Sequence, residues 1–155
     1  GNPGNPDDPK SYCEKIMIVE EEQVTPMHHH FQKAEDIINR GGGILMVQVY
    51  AVSEEEDLAE TLVKVSTDGT ERIVDAGHIF ELEPGESITI TSDIYHKFWA
   101  KKGFGKLLIG EVSSVNDDRV DNKFLEGIGR FSEIEEDEPP LYLLYQDYDK
   151  FLSIK

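Results

Sequence analysis

The sequence predicts a single all-β domain, built as a sandwich or a barrel of short strands. Short runs rich in β-branched and aromatic residues recur along the chain. Turn signals such as Asp68-Gly69 and Pro84-Gly85 separate these runs. The 155 residues have the length of one domain and are enough to bury a hydrophobic core.

The first strands follow a turn-rich beginning. Residues 1–12 are rich in Gly, Pro, Asn and Asp, and we expect them to form a flexible lead-in. The chain does not begin with Met, so we also expect that an N-terminal portion is missing ahead of it. Cys13–Val19 and Gln23–His30 have the composition of strands. Phe31–Asn39 fits either one helical turn or the start of a strand.

The middle of the chain contains the clearest strand signals. Arg40–Gly43 is expected to be a turn, because its three glycines tolerate unusual backbone angles. Ile44–Val52 is the strongest strand, and its nearly continuous apolar run predicts burial on both faces. Ser53–Glu60 is an acidic loop. Thr61–Ser66 and Glu71–Val74 flank an Asp-Gly turn, which predicts a hairpin.

The last strands lie around a histidine in the second half of the chain. Residues 79–91 alternate apolar and polar side chains on both sides of a Pro-Gly turn, which predicts a second hairpin. His96–Ala100 and Lys106–Val112 follow as strands. Residues 116–155 form an irregular, polar C-terminal extension that we expect to pack back on the barrel. Residues 13–155 are therefore predicted to be one domain.

The charge balance excludes several classes of partner. The formal net charge is −17, whereas binding to nucleic acid requires a basic face. Anionic membrane surfaces are excluded for the same reason, and no apolar run is long enough to span a bilayer. Cys13 is the single cysteine, so no disulfide forms within the chain. This suits a reducing, cytoplasmic location.

A histidine-rich stretch at the end of the second strand indicates a metal site. Side chains at positions i and i+2 of a strand leave on the same face, so His28 and His30 can reach one ion while His29 points away. Glu35 follows after enough chain to turn back, and His96 is the candidate fourth ligand. Imidazole nitrogen with carboxylate oxygen suits zinc, manganese, iron or cobalt. Two other interpretations are an internal expression-tag scar and incidental strand histidines.

The spacing of these residues resembles a known superfamily. His28, His30 and Glu35 are followed by glycines and by a Pro-Gly segment that leads to His96. This order resembles the two conserved blocks of the cupins, although Ser92-Asp93-Ile94 stands where those proteins usually have Pro-x-Gly. The resemblance implies a cupin-type β-barrel, also called a double-stranded β-helix or jelly roll. It also implies that the four ligands point into the barrel and hold one divalent metal.

Longer segments carry a closer resemblance. They are Glu14–Ile18, Gln23–His28, Glu35–Gly42, Gly110–Ser113, Val115–Asp118, Gly129–Phe131 and Ile134–Glu138. Together they resemble the D-lyxose isomerases (D-lyxose ketol-isomerases), one family of the cupin superfamily. The resemblance implies interconversion of D-lyxose with D-xylulose and of D-mannose with D-fructose, so the partner is a small monosaccharide. It implies Mn²⁺ as the metal, with Zn²⁺, Co²⁺ or Fe²⁺ as other possibilities, and a homodimer.

Moving a carbonyl from C1 to C2 of a sugar needs acid–base groups beside the metal. Glu111 interrupts an apolar strand, where an inward carboxylate is costly unless it is used. Asp118 is the second candidate base, and it could equally cap a turn. Lys33 lies between two ligands and could bind a sugar hydroxyl or be an ordinary surface lysine. Arg130 could reach sugar hydroxyls or pair with the acidic residues that follow it. Proton transfer through an enediol and a hydride shift both remain open.

Other functions are compatible with the same ligand set. Non-haem metal dioxygenases use such a site, and some cupins bind a sugar or a metal without catalysing a reaction. A dioxygenase needs Fe(II) with room for O₂, and a binding protein needs no acid–base groups. The presence of Glu111 and Asp118 favours the isomerase.

Overall fold

The computed structural model describes residues 5, 7–127, 135, 137–143 and 148–151. Within these residues the chain forms mostly short strands. They are β1 (Tyr12–Val19), β2 (Val24–His30), β3 (Glu35–Gly42), β4 (Leu45–Val52), β5 (Leu58–Ala59), β6 (Val63–Thr67), β7 (Thr70–Val74), β8 (Ile79–Leu82), β9 (Ser87–Ile90), β10 (Ile94–Ala100), β11 (Leu107–Ser114) and β12 (Asn122–Phe124). One helical turn, α1 (Tyr148–Phe151), follows near the end of the chain.

The strands form two antiparallel sheets. One sheet has the order β1-β11-β3-β9-β6-β7, and the other has the order β12-β2-β10-β4-β5, with β8 also paired to β4. Side chains from both sheets meet in one core, which includes the fully buried Ile37, Val47, Ile90 and Ile109. Burying each such side chain contributes about 1.5–3 kcal/mol to folding. The architecture confirms the prediction of an all-β, cupin-type barrel.

Local turn chemistry explains the hairpin between β6 and β7. The two residues Asp68 and Gly69 both have positive φ angles, of 48° and 75°. A two-residue turn of this kind matches the right-handed twist of the flanking strands. The register pairs Thr67 with Thr70 and Val63 with Val74, so the predicted hairpin is confirmed.

The second predicted hairpin is wrong. β8 pairs with β4, whereas β9 pairs with β3 and β6 in the other sheet. The turn at Pro84-Gly85 therefore carries the chain from one sheet to the other. Asn39 stabilises this connection between the sheets. Its buried side-chain amide donates hydrogen bonds to the carbonyls of Gly43 and Leu82 at 2.9 Å each.

The prediction of a turn at Arg40–Gly43 is wrong for most of its length. β3 continues to Gly42, and the ambiguous stretch before it belongs to the same strand from Glu35 onward. β3 pairs with β11 with a register shift between Leu108 and Ile109. The two backbone segments approach so closely near this shift that a Cβ on Gly42 would lie 2.2 Å from the Lys106 carbonyl oxygen. These glycines thus permit the close backbone contact of an irregular strand and do not form a turn.

The C-terminal extension contributes one strand that the sequence did not indicate. β12 pairs with β2, which places Asn122 opposite His30 and Phe124 opposite His28. Further along, Leu141 and Tyr142 are exposed. Packing of the remaining extension on the barrel stays a prediction. No helix in the described part of the chain is long and apolar enough to cross a membrane.

Candidate metal centre

Three strands bring together the four residues predicted to bind a metal. His28 and His30 leave β2 on the same face, Glu35 begins β3, and His96 on β10 is paired with His28 across the sheet. All four side chains are buried, and one ligand atom from each lies within 4.8 Å of the others. A set of three imidazoles and one carboxylate at this spacing can hold one divalent cation.

The contacts inside the cluster test whether a cation fits. Glu35 Oε1 lies 3.3 Å from His30 Nε2 and 2.9 Å from His96 Nε2. The second contact lacks hydrogen-bond geometry, so His96 Nε2 is a fully buried nitrogen without a hydrogen-bond partner. Buried polar atoms are nearly always satisfied in proteins, and a cation would satisfy this one. The residues therefore fit a metal ion.

The protonation states also suit metal binding. Burial, followed by the neighbouring His96, lowers the pKa of His28 to about 2. Burial would raise the pKa of Glu35, but contacts with His30 and His96 and the charge of Lys33 hold it well below its usual value. Neutral imidazole and ionised carboxylate are the forms that bind metals. His28 Nδ1 also contacts the Pro26 carbonyl oxygen at 2.7 Å, which leaves Nε2 to face the cluster.

A cavity of about 280 Å³ lies against the candidate metal centre. Its walls combine ligands, charged side chains and apolar side chains, so it can accept a small polar molecule. The charged residues that line it besides Glu35 are Lys15, Lys33, Glu111 and Asp118. The apolar part of the wall includes Met17, Pro26, Phe98 and Phe124.

Lys33 connects the metal centre to the rest of the cavity. Its Nζ lies 2.5 Å from Glu35 Oε2 and 3.1 Å from Glu111 Oε1. Burial alone would lower the pKa of Lys33, but the charges of Glu35 and Glu111 outweigh it and raise the pKa. Lys33 is therefore a fixed cation at neutral pH. Its burial excludes the interpretation as an ordinary surface lysine.

Comparison with known proteins decides the family. A family model described as D-lyxose isomerase matches residues 1–148. The chain belongs to the D-lyxose isomerase family. A "D-lyxose/D-mannose isomerase" of Serratia proteamaculans is 52% identical over 153 residues, which cover 99% of this chain and 67% of that protein. A protein of the same name in Escherichia coli O157:H7 is 49% identical over 142 residues, covering 92% and 63%. The chain thus spans about two thirds of the length of these relatives.

Solved structures support the fold of this family member. An L-ribose isomerase of Cellulomonas parahominis has a TM-score of 0.56 at 18% identity, over 74% of this chain and 58% of that one. A dTDP-4-dehydrorhamnose 3,5-epimerase from Elizabethkingia anophelis has a TM-score of 0.54 at 8% identity, over 74% and 56%. At such low identity these likenesses concern the cupin-like barrel alone.

The structure brings three of the four predicted catalytic residues into the cavity. Lys33 and Glu111 are buried, and Asp118 lines the cavity from the loop that follows β11. Arg130 lies outside the residues that the structure describes. His29 leaves β2 on the opposite side and packs against Tyr95, with ring centroids 4.5 Å apart.

Lys15 is a cavity residue that sequence reasoning missed. Its Nζ lies 3.1 Å from Glu111 Oε1 and 3.6 Å from Asp118 Oδ2. The register places Lys15 opposite Glu111, and alternation along β1 turns Met17 toward the cavity as well. The available signal was a lysine in an apolar strand, two residues from Cys13 and from Met17.

The wall formed by β12 was also missed. The ring of Phe124 stacks on that of His28, with centroids 5.2 Å apart and planes at 27°. Asn122 lines the cavity beside it. Just ahead of β12, Asp121 is buried although it is a carboxylate. The sequence carries no periodic pattern at these positions, so pairing with β2 was the missing information.

Proposed function

We propose that this chain is a metal-dependent aldose–ketose isomerase that interconverts D-lyxose with D-xylulose and D-mannose with D-fructose. The two relatives named above support the choice of sugars. The observation that carries the proposal is the cavity beside the four convergent ligand side chains. Three of these side chains line it, together with two further carboxylates and two lysines. A binding protein would need no such acid–base groups.

The metal in this proposal is held by His28, His30, Glu35 and His96. A divalent cation bound there would act as a Lewis acid that polarises the oxygens on C1 and C2 of the sugar. Mn²⁺ is the proposed ion. The ligand set is also compatible with Zn²⁺, Co²⁺ and Fe²⁺.

The proton that leaves C2 and returns to C1 needs a carboxylate, and Asp118 is the proposed carrier. Glu111 Oε1 already contacts two ammonium groups, those of Lys15 and Lys33, at 3.1 Å each. Asp118 Oδ2 lies 3.6 Å from Lys15 Nζ, and the Asp118 side chain is 26% exposed, whereas that of Glu111 is 9% exposed. Asp118 is therefore proposed as the base because it is the more exposed of the two cavity carboxylates, while Glu111 holds the two lysines in place.

The lysines supply positive charge where negative charge develops during enediol formation. Lys33 cannot act as a base, because its pKa is raised by Glu35 and Glu111 against the effect of burial. Both Lys33 and Lys15 line the cavity, where their ammonium groups can donate hydrogen bonds to sugar oxygens. Arg130 stays a prediction that rests on the family resemblance. The apolar wall around Phe98 and Phe124 limits the access of water.

Turnover in heavy water tests the proposal and separates its two possible chemistries. The Mn²⁺-loaded chain is incubated in D₂O with D-mannose or D-lyxose, and products and deuterium content are read by NMR. We expect D-fructose and D-xylulose, with deuterium on C1 of the product because an exchangeable carboxyl carries the proton. Products without deuterium mean that the transferred hydrogen does not exchange with solvent, which is the result expected for a hydride shift. Absence of both products contradicts the isomerase assignment.

Two controls address the other functions. O₂ consumption by the Fe²⁺-loaded chain in the presence of substrate would support a dioxygenase. Sugar binding by calorimetry without turnover would support a non-catalytic cupin. A homodimer and a cytoplasmic location stay predictions, and sedimentation of the full chain tests the first of them.

A further inference from the structure

A buried carboxylate that the proposed reaction does not use holds the loop that carries Asp118. Asp121 is only 5% exposed. Its Oδ1 accepts a hydrogen bond from the backbone N–H of Gln32 at 2.8 Å, and its Oδ2 accepts one from the backbone N–H of Lys33 at 3.2 Å. The Phe31 N–H also donates to the Asp121 carbonyl oxygen, at 3.1 Å. Asp121 therefore joins its own loop to the turn between β2 and β3.

Asn116 extends this connection to the proposed base. Its Nδ2 donates one hydrogen bond to Asp121 Oδ2 at 2.9 Å and another to Asp118 Oδ1 at 3.1 Å. A side-chain amide nitrogen has two N–H groups, so both are used. The flipped amide would direct its oxygen at two carboxylates, which are acceptors, so only one orientation is compatible with these partners.

The two connections reach two residues that line the cavity, Asp118 and Lys33. One runs from the Asp121 carboxylate through Asn116 to the Asp118 side chain. The other runs from the same carboxylate to the backbone of Lys33, whose ammonium group contacts Glu35 and Glu111. Capping the turn alone would occupy Asp121 with the two backbone N–H groups. The third donor, on Asn116, links it to Asp118, which lines the cavity.

We propose that Asp121 is a positioning residue, which fixes the Asp118 carboxylate through Asn116 and fixes Lys33 through its backbone. This inference rests on the proposed isomerase function, in which Asp118 moves the proton. Proton transfer requires the Asp118 carboxylate to lie close to the hydrogen that it removes from carbon. Small displacements of this carboxylate therefore slow the reaction. Lys33 and Asp118 are proposed to act mainly on the charge and the proton that move in the transition state, so the loss should appear in kcat more than in KM.

The experiment compares variants of the full chain loaded with Mn²⁺. Asp121→Asn keeps the shape of the side chain but turns one acceptor into a donor that faces another donor. We expect kcat for D-mannose to fall by about 10- to 100-fold, as for other groups that orient a reacting residue. KM should stay within about two-fold, because only the chemical step is affected. Bound Mn²⁺ per chain should equal that of the wild type.

Asn116→Ala removes only the connection to Asp118, and we expect a smaller fall in kcat with KM unchanged. The matched control is Asp117→Asn, the same isosteric change in the same loop. The Asp117 carboxylate contacts Arg119 at 2.7 Å and lines no part of the cavity, so wild-type kcat is expected. This control separates the loss of a carboxylate in the loop from the loss of the Asp121 connection.

The double variant Asp121→Asn/Asn116→Ala decides whether the two residues act in one chain of contacts. Coupled residues should lower kcat by less than the product of the two single effects. If the fall in kcat of the double variant equals the product of the two single falls, the proposal is overturned. A wild-type kcat in the Asp121→Asn variant overturns it as well. A fall in melting temperature with kcat per folded molecule unchanged also overturns it, since that is a structural role. If the wild type itself turns over neither sugar, the proposed function and this inference fail together.

Discussion

Two lysine–glutamate pairs have almost the same separation but lie in different regions of the molecule. Lys33 and Glu35 are 2.5 Å apart beside the candidate metal centre, and their side chains are 4% and 2% exposed. Lys64 and Glu71 are 2.6 Å apart on the β6–β7 hairpin, and their side chains are 68% and 59% exposed. The distance between the charged atoms alone would predict ion pairs of equal strength.

Burial makes them different. Water and dissolved salt screen the exposed pair, which contributes little to stability. The buried pair has lost its hydration, so each charge depends on the other and on Glu111, 3.1 Å from Lys33. An apolar pair of similar size would fold at least as well at such a place. From the presence of these buried charges beside the candidate ligands we infer a role in chemistry rather than in folding.

The contrast between the two pairs depends most on whether a metal ion binds beside the buried pair. His96→Ala removes one of the four proposed ligands, and we expect loss of bound Mn²⁺ and of all measurable turnover. Metal content after dialysis, measured by mass spectrometry, is the readout. His78→Ala is the matched control, because His78 is exposed and lies outside the cluster. Unchanged metal content in the His96 variant would show that the fourth ligand lies elsewhere.

The next largest effect concerns Asp118, the proposed proton carrier. Asp118→Asn keeps the size of the side chain but removes its basicity, so we expect kcat to fall by about 10²- to 10⁴-fold. Glu111→Gln leaves Asp118 in place and weakens the contacts of two lysines, so a smaller fall in kcat is expected. Deuterium uptake from D₂O into the product measures both. Complete loss of uptake in the Glu111 variant with near-normal uptake in the Asp118 variant would reverse the two roles.

Stability tests the buried pair itself. Lys33→Met leaves the Glu35 and Glu111 carboxylates buried without their shared cation. We expect the free energy of unfolding of the metal-free chain to fall by about 3–5 kcal/mol. Urea unfolding followed by circular dichroism gives this quantity. A change no larger than that of an exposed pair would mean that water reaches Lys33 in solution.

The smallest effect is expected at the exposed pair. Lys64→Met is the matched change to Lys33→Met, made at nearly the same ion-pair distance. We expect kcat to equal that of the wild type and the melting temperature to stay within about 2 °C. A calorimetric scan and a rate measurement are sufficient. A loss comparable with that of Lys33→Met would refute the distinction drawn from burial.

Local periodicity and turn chemistry predicted much of the fold and of the metal centre. Alternation along β2 places His28 and His30 on one face whatever the rest of the fold does. The Asp68-Gly69 turn likewise depends only on its own backbone angles. The Pro84-Gly85 turn could not be assigned in this way. The same residues serve a hairpin or a crossing between sheets, and only distant pairing partners distinguish the two.

Lys15 shows why part of the cavity could not be predicted from the sequence. In β1 the apolar Ile16 and Ile18 are 68% and 67% exposed, whereas Lys15 lines the cavity. The usual preference of strands for apolar side chains inside is thus reversed at this position. The reason is Glu111, which lies directly opposite on β11 and needs a cation. That partner is 96 residues away, so no local pattern contains it.

The same 96-residue separation bears on how the protein folds. Contacts between β1 and β11, and between β2 and β10, can form only after most of the chain has been synthesised and long loops have closed. The complete set of four ligands therefore exists only in the closed barrel, because His96 joins residues 28–35 through the pairing of β2 with β10. An ion that binds four ligands in the closed barrel more tightly than the local ligands in a partly folded chain mainly retards unfolding. We therefore expect a divalent cation bound at these four side chains to slow the unfolding of the finished barrel more than it accelerates its folding.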